Sequence, residues 1–209
     1  MEYPKIQSLF KRDPKGKFII DDWSLPEFEY LKFNRWEWTE KIDGMNIRVI
    51  WDGKNVVFRG RTDRAQLPDD LVDHLTKTFT INKMIHAFGF NYATPDVKIY
   101  LFGEGFGAGI QKGGKYGADK RFILFDVLVG RWWLKRDALE DCAHVFGIPI
   151  VPVVGYGTIG MAIGTIENGL KSIFGDFQAE GLVLKPAIEL HARNGNRIIT
   201  KVKHKDFIF

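Results

Sequence analysis

Cysteine is nearly absent from these 209 residues: Cys142 stands alone, so no disulfide can close within the chain. Its setting, Ala138-Leu139-x-x-Cys142-Ala143-x-x-Phe146, has the apolar spacing of a buried helix face and predicts a core thiol, not a nucleophile. The five histidines, His74, His86, His144, His191 and His204, have no paired spacing with one another or with Cys142, which argues against zinc. No apolar run approaches the ~20 residues of a membrane helix, and Met1-Glu2-Tyr3-Pro4 lacks the basic and apolar pattern of a secretory leader. A cytoplasmic protein with no membrane partner is expected. Internal repeats, low-complexity stretches and linkers are also missing. Gly103, Gly105, Gly107 and Gly109 do not make a dinucleotide fingerprint, because strand-like Phe122–Val127 follows where a helix should open.

What is present suffices for a sizeable core: 45% of the residues are hydrophobic and 14% aromatic, most simply as one domain over residues 1–209 with room for a small flap. A net charge of +4 favours a polyanionic partner only mildly. Clustering is more telling. Lys112, Lys115, Lys120 and Arg121 sit in or beside a glycine-rich run, as a solvated face or a phosphate contact, and Lys201, Lys203, His204 and Lys205 gather near the end.

Asn46–Trp51 and Asn55–Arg61 alternate around Asp52-Gly53, a strong hairpin signal. Helices are expected over Pro68–Ala87, Arg136–Phe146 and Ile163–Phe174, the last two ending at Gly147 and Gly175. Val97–Phe102, Phe122–Val127, Leu182–Lys185 and Arg197–Lys203 read as further strands. The fold class is α+β, rich in antiparallel sheet.

Two segments carry the chemistry: Glu40-Lys41-Ile42-Asp43-Gly44, and Glu180-Gly181-Leu182-Val183-Leu184-Lys185-Pro186 followed by Lys201-Val202-Lys203. A lysine that attacks phosphorus must do so as a neutral amine, so its site needs nearby positive charge. Lys201 and Lys203, two apart on a strand, share a face and could supply that charge while gripping a phosphate. Alone, Lys-x-Asp-Gly is more often an exposed turn. The order of segments removes that reading. Between the two come Tyr100-Leu101-Phe102-Gly103-Glu104-Gly105-Phe106-Gly107 and Phe122-Ile123-Leu124-Phe125-Asp126-Val127. Five segments in this order resemble motifs I, III, IIIa, IV and V of the ATP-dependent polynucleotide ligase and mRNA-capping superfamily. The run Gly107 to Gly117 and Asn46, five residues after Lys41, resemble RNA ligases of the RNA ligase 2 type over about residues 38–205.

The resemblance implies an antiparallel-sheet-rich, ATP-grasp-like nucleotidyltransferase (ligase adenylation) domain. It also implies an enzyme, an ATP-dependent RNA ligase of RNA repair with a phage-like relationship. Lys41 would attack the α-phosphorus of ATP and carry AMP as a lysyl phosphoramidate, Asp43 completing its motif. AMP would then pass to an RNA 5'-phosphate, from which a 3'-hydroxyl displaces it, at nicks in duplexes. Lys201, Lys203 and Mg2+, with Mn2+ an alternative, would offset transition-state charge. Glu180 is the metal-side carboxylate, and Asn46 is expected to orient a metal-bound water. Glu104 would accept from the ribose hydroxyls, Phe125 stack on adenine, and Glu40 read the exocyclic amine. Arg61 fits the motif Ia arginine, with Arg59 and Arg64 as rivals, and Asp126 and Lys185 match nucleotide-binding positions. Phe125 as plain core and Asp126 as a strand-end cap stay open.

RNA is the expected partner and a monomer the expected state. Asp43, where some RNA ligase 2-type members have histidine, departs from the pattern. The chain stops six residues past Lys203, so no separate C-terminal domain is expected, in either a minimal ligase or part of a longer one. A DNA ligase core, a GTP-using capping guanylyltransferase, and a nucleotide- or RNA-binding module without ligation are the alternatives.

Overall fold

A computed structural model describes residues 1–89, 94 and 97–207. In chain order its strands are β1 (Gln7–Ser8), β2 (Phe10–Arg12), β3 (Phe18–Trp23), β4 (Trp36–Glu40), β5 (Met45–Trp51), β6 (Val56–Arg59), β7 (Ile99–Phe106), β8 (Arg121–Val129), β9 (Trp132–Trp133), β10 (Val153–Gly157), β11 (Gly181–Pro186) and β12 (Thr200–Lys203). Its helices are α1 (Pro26–Tyr30), α2 (Asp69–Thr78), α3 (Ile81–Phe88), α4 (Arg136–Phe146) and α5 (Ile159–Glu167). They group into two compact units: Met1–Tyr3 with Asp43–Val151, and Pro4–Ile42 with Pro152–Phe209.

The first unit is built on the expected hairpin. Asp52 Oδ1 accepts the N–H groups of Lys54 and Asn55 at 2.9 and 2.7 Å, which tightens the turn between β5 and β6. The sheet runs β6-β5-β7-β8-β9, antiparallel throughout. Strand alternation sends Ile47, Val49, Trp51, Ile99 and Leu101 to one face, where they pack in one core with Leu71 and Leu75 of α2, Met84 of α3 and Leu139 of α4. Each such side chain contributes about 1.5–3 kcal/mol by leaving water.

The single helix expected over residues 68–87 is in fact two. Phe79 leaves helical geometry (φ −103°, ψ 65°) and buries its ring against Phe122 and Phe146, with centroids 5.3 and 4.9 Å away. Thr80 then accepts the Lys83 N–H at 3.4 Å and opens α3. Aromatic burial thus overrides helix propensity.

On α2, His74 Nε2 is buried and makes no hydrogen bond among the described residues. Burial first, and then Arg121, hold its pKa below the ordinary histidine value. Its proton is therefore bound more weakly in the folded than in the unfolded chain, and stability falls as pH drops below about 6.5. Between about pH 7.5 and 5.5 the thermal midpoint should fall further in the native chain than in His74→Gln. Parallel midpoint curves would reject this role.

The second unit holds a sheet in the order β1-β12-β11-β4-β10, antiparallel except for the parallel pair β1 and β12, and a small β2–β3 hairpin. Trp36 and Trp38 of β4, Leu182 and Leu184 of β11, and Val202 of β12 form its core, covered by Ile159, Ala162 and Ile166 of α5. The helix expected over Ile163–Phe174 lies earlier in the chain. Thr158 accepts the Met161 N–H at its start, and Gly169, at φ +84°, follows its end. The strand expected from Arg197 begins only at Thr200, with Arg197 in an isolated bridge to His191. β4 was not anticipated. No helix among the described residues is long and apolar enough to cross a membrane.

Candidate active site

The second unit brings four predicted residues to one side of its sheet. Gly181 pairs with Lys203, and Val183 with both Lys201 and Thr39. The Lys41 N–H donates to the Gly181 carbonyl at 2.9 Å, extending the ladder past β4. By register, Lys41, Lys185, Lys201 and Lys203 therefore share a face. A β-carbon on Gly181 would stand 2.0 Å from the Val202 carbonyl oxygen and 2.7 Å from Lys203 Cα, so only glycine lets β11 approach β12 this closely beside Glu180.

Glu180 joins two of these lysines. Its Oε2 accepts from Lys41 Nζ at 2.5 Å and its Oε1 from Lys203 Nζ at 2.6 Å, the three side chains being only 16–22% exposed. One carboxylate between two ammonium groups is a partly desolvated, charge-assisted arrangement.

Glu40, expected to read the adenine amine, is held by the protein itself. Alternation turns it to the face opposite Lys41, where it is 1% exposed. Its Oε1 accepts from the Ser172 hydroxyl at 2.6 Å and its Oε2 from the Ile173 N–H at 3.1 Å. Both oxygens serve the protein. A buried carboxylate needs such donors, and through them Glu40 anchors the segment after α5.

The first unit carries the other predicted residues. Asn46 and Glu104 face each other across β5 and β7, and Asn46 Oδ1 is buried without a hydrogen-bond partner among the described residues. Asp126, 1% exposed, accepts from the Tyr3 hydroxyl at 2.6 Å. The ring of half-buried Phe125 meets Tyr3 edge-on at 5.0 Å. The Asp43 N–H donates to the Tyr116 hydroxyl at 3.2 Å. Gly113 packs there by backbone: a β-carbon on it would stand 2.8 Å from Gly107 N and 3.2 Å from the Asp43 carbonyl oxygen. The glycine-rich run thus folds onto the motif I aspartate. Arg61 is exposed on the turn after β6.

Under that turn lies a residue the sequence reading missed. Arg48, 1% exposed, donates through Nε to the Gly60 carbonyl at 2.7 Å, through Nη1 to Met1 O at 2.9 Å and through Nη2 to Asp63 at 2.7 Å. Its signal was an arginine inside the apolar run Ile47-Arg48-Val49-Ile50-Trp51 of β5. Tyr3, Tyr116 and Ser172 carried no such signal. A separate cavity of about 870 Å³ lies among α3, β9 and α4 and is lined by Cys142, Trp132 and Phe88, with none of the motif residues. Burial, and then Asp141, push the Cys142 thiol up to about 11, so it is inert near neutrality.

The order of motifs and the paired lysines on one carboxylate define a nucleotidyltransferase-like arrangement. A family model described as RNA ligase matches residues 34–203, and the chain belongs to that family. Among solved structures, a Naegleria gruberi RNA ligase, as a lysine-to-alanine mutant with ATP and Mn, is 20% identical and superposes with a TM-score of 0.63 over 97% of this chain and 57% of its own. A lysine-to-methionine mutant of that ligase with AMP and Mn is also 20% identical, with a TM-score of 0.63 over 98% of this chain and 60% of its own. At this identity the likeness is one of fold. The chain spans 57–60% of the length of these two solved chains.

Proposed function

We propose that this chain is the adenylyltransferase portion of an ATP-dependent RNA ligase, acting through a lysyl-AMP intermediate. The observation that carries the proposal is the bridge from Lys41 through Glu180 to Lys203 in a member of the RNA ligase family. Lys41 Nζ attacks the α-phosphorus, a phosphorus–nitrogen bond forms, the bond to the bridging oxygen breaks, and pyrophosphate leaves with the electron pair while the lysine loses its protons. An RNA 5'-phosphate oxygen then takes AMP from Lys41. A 3'-hydroxyl finally attacks that 5'-phosphorus and expels AMP.

Lys201 and Lys203 offset charge on the transferring phosphate, since such reactions depend chiefly on positioning and electrostatics. Glu104 accepts from the ribose and Phe125 stacks on adenine. Arg61, Asp126 and Lys185 contribute further nucleotide contacts, and Asp43 shapes the turn after the nucleophile.

The donors suit a hydrated Mg2+ or Mn2+. Among the described residues no three carboxylate, histidine or cysteine side chains gather as a ligand cage; Glu180 is a carboxylate already held by Lys41 and Lys203, and Asn46, in the other unit, has a buried acceptor. Magnesium keeps several of its waters, so Glu180 and, through water, Asn46 are the proposed contacts. When bound, the cation supplies positive charge toward the phosphates.

The test uses magnesium with labelled ATP, GTP or NAD, then nicked duplexes carrying RNA or DNA at the 3'-hydroxyl side across a salt series. ATP alone should label the protein, acid-labile as a phosphoramidate, and RNA-ended nicks should be sealed preferentially, less well as salt rises. GTP preference would point to capping chemistry, and equal sealing of all-DNA nicks to a DNA ligase. Either result overturns this reading.

A further inference from the structure

Lys203 is the last residue of the family match, and the side chain that holds its backbone N–H lies outside that match. Its side chain reaches Glu180 at 2.6 Å, and the next residue, His204, donates its N–H to the Glu180 carbonyl at 3.0 Å. Its own N–H donates to Asp206 Oδ2 at 3.1 Å across a short 3-10 turn, His204–Asp206. Asp206 is 2% exposed, and a buried carboxylate needs a positive partner. That partner is Arg12, whose Nη2 lies 2.8 Å from Asp206 Oδ1. Arg12 is itself held in the β2–β3 hairpin: it donates to the Gly16 carbonyl at 2.8 Å and to Ser8 Oγ at 3.3 Å, and its guanidinium sits 4.5 Å from the centre of the Phe18 ring. A continuous chain of contacts, each 2.5–3.1 Å long, thus runs from Arg12 through Asp206, Lys203 and Glu180 to Lys41, all within the second unit.

We propose that Asp206, held by Arg12, is a positioning residue that fixes the end of β12 so that Lys203 meets the transferring phosphate. The sequence reading stopped at Lys203 and assigned neither residue. The geometry separates positioning from mere support of the fold. Arg12 is partly exposed and belongs to a peripheral hairpin, yet it reaches the only described side chain that holds the Lys203 backbone N–H. A guanidinium that faces a carboxylate while bonding a carbonyl and a hydroxyl needs a planar fork, which lysine does not offer.

The proposal rests on the assignment of Lys203 to the phosphate. Arg12→Gln should slow single-turnover adenylylation at saturating ATP roughly tenfold, the size of one lost, partly buried ion pair, with little change in half-saturating ATP. Arg12→Lys should restore only part of the rate. Added to Lys203→Ala, Arg12→Gln should cost no more than about twofold, because the two act as a unit. Amide exchange at Lys203 should quicken in Arg12→Gln and in the isosteric Asp206→Asn, a readout independent of labelling. If Lys203→Ala labels at full rate, the functional reading falls together with its catalytic consequence. If Lys203→Ala is impaired but Arg12→Gln is not, if the losses simply multiply, or if Lys203 exchange is unchanged, the positioning proposal alone is overturned.

Discussion

Lys41→Ala should take up no acid-labile label from ATP, a loss on the order of 10⁴-fold or more, because the group that forms the covalent bond is gone. The Cys142 thiol is buried and pushed up to about 11, and Lys203 reaches the same carboxylate from the other side. The fold should tolerate the change. Lys41 contributes its backbone N–H to the Gly181 carbonyl in any case, and alanine keeps that bond. A thermal midpoint near that of the native chain, together with absent label, is the expected pair of results. Retained label in a folded Lys41→Ala protein would reject Lys41 as nucleophile.

The second large effect is expected at the β12 lysines and the carboxylate that Lys203 meets. Lys203→Ala and Lys201→Ala should each slow adenylylation by about 10² to 10³, as removing one preorganised charge at a desolvated transition state does. Arginine should rescue either poorly if the site needs a compact ammonium. Glu180→Gln keeps the shape and removes the charge that Lys41 and Lys203 share. It should therefore cut labelling strongly and weaken the dependence of rate on magnesium or manganese concentration. Near-normal single-turnover rates in both lysine variants would refute the phosphate clamp, and an unaltered metal dependence in Glu180→Gln would remove Glu180 from the metal side.

Much of this was legible because strands and covalent chemistry leave local marks. The Asp52-Gly53 turn, the helix ending before Gly147 and the Leu182–Lys185 strand all follow from patterns a few residues long. What failed depended on partners distant in sequence. Phe79 breaks the long helix in order to reach Phe122 and Phe146, which no local pattern shows. β4 was hidden because Glu40 occupies an inward position in Trp36-Glu37-Trp38-Thr39-Glu40, so its alternation looks broken until Ser172, 132 residues away, supplies the donor. The same distance effect governs the candidate site. Lys41, Glu180 and Lys203 were recognised by residue type and order, whereas Arg12, Arg48, Tyr116 and Asp206 matter only through contacts that folding creates.

The boundary between the two units falls inside motif I, between Ile42 and Asp43, and the chain crosses back between Val151 and Pro152. The five-residue signature is therefore not a module: cutting the chain at its compact units leaves the lysine on one fragment and the aspartate and glycine on the other. The same division sorts the proposed work. The residues assigned to sugar and base, Glu104 and Phe125, belong to the unit interposed in the sequence, while Lys41, Glu180, Lys201 and Lys203 belong to the unit that brackets it. A fragment made of either unit alone would thus lack part of the proposed site.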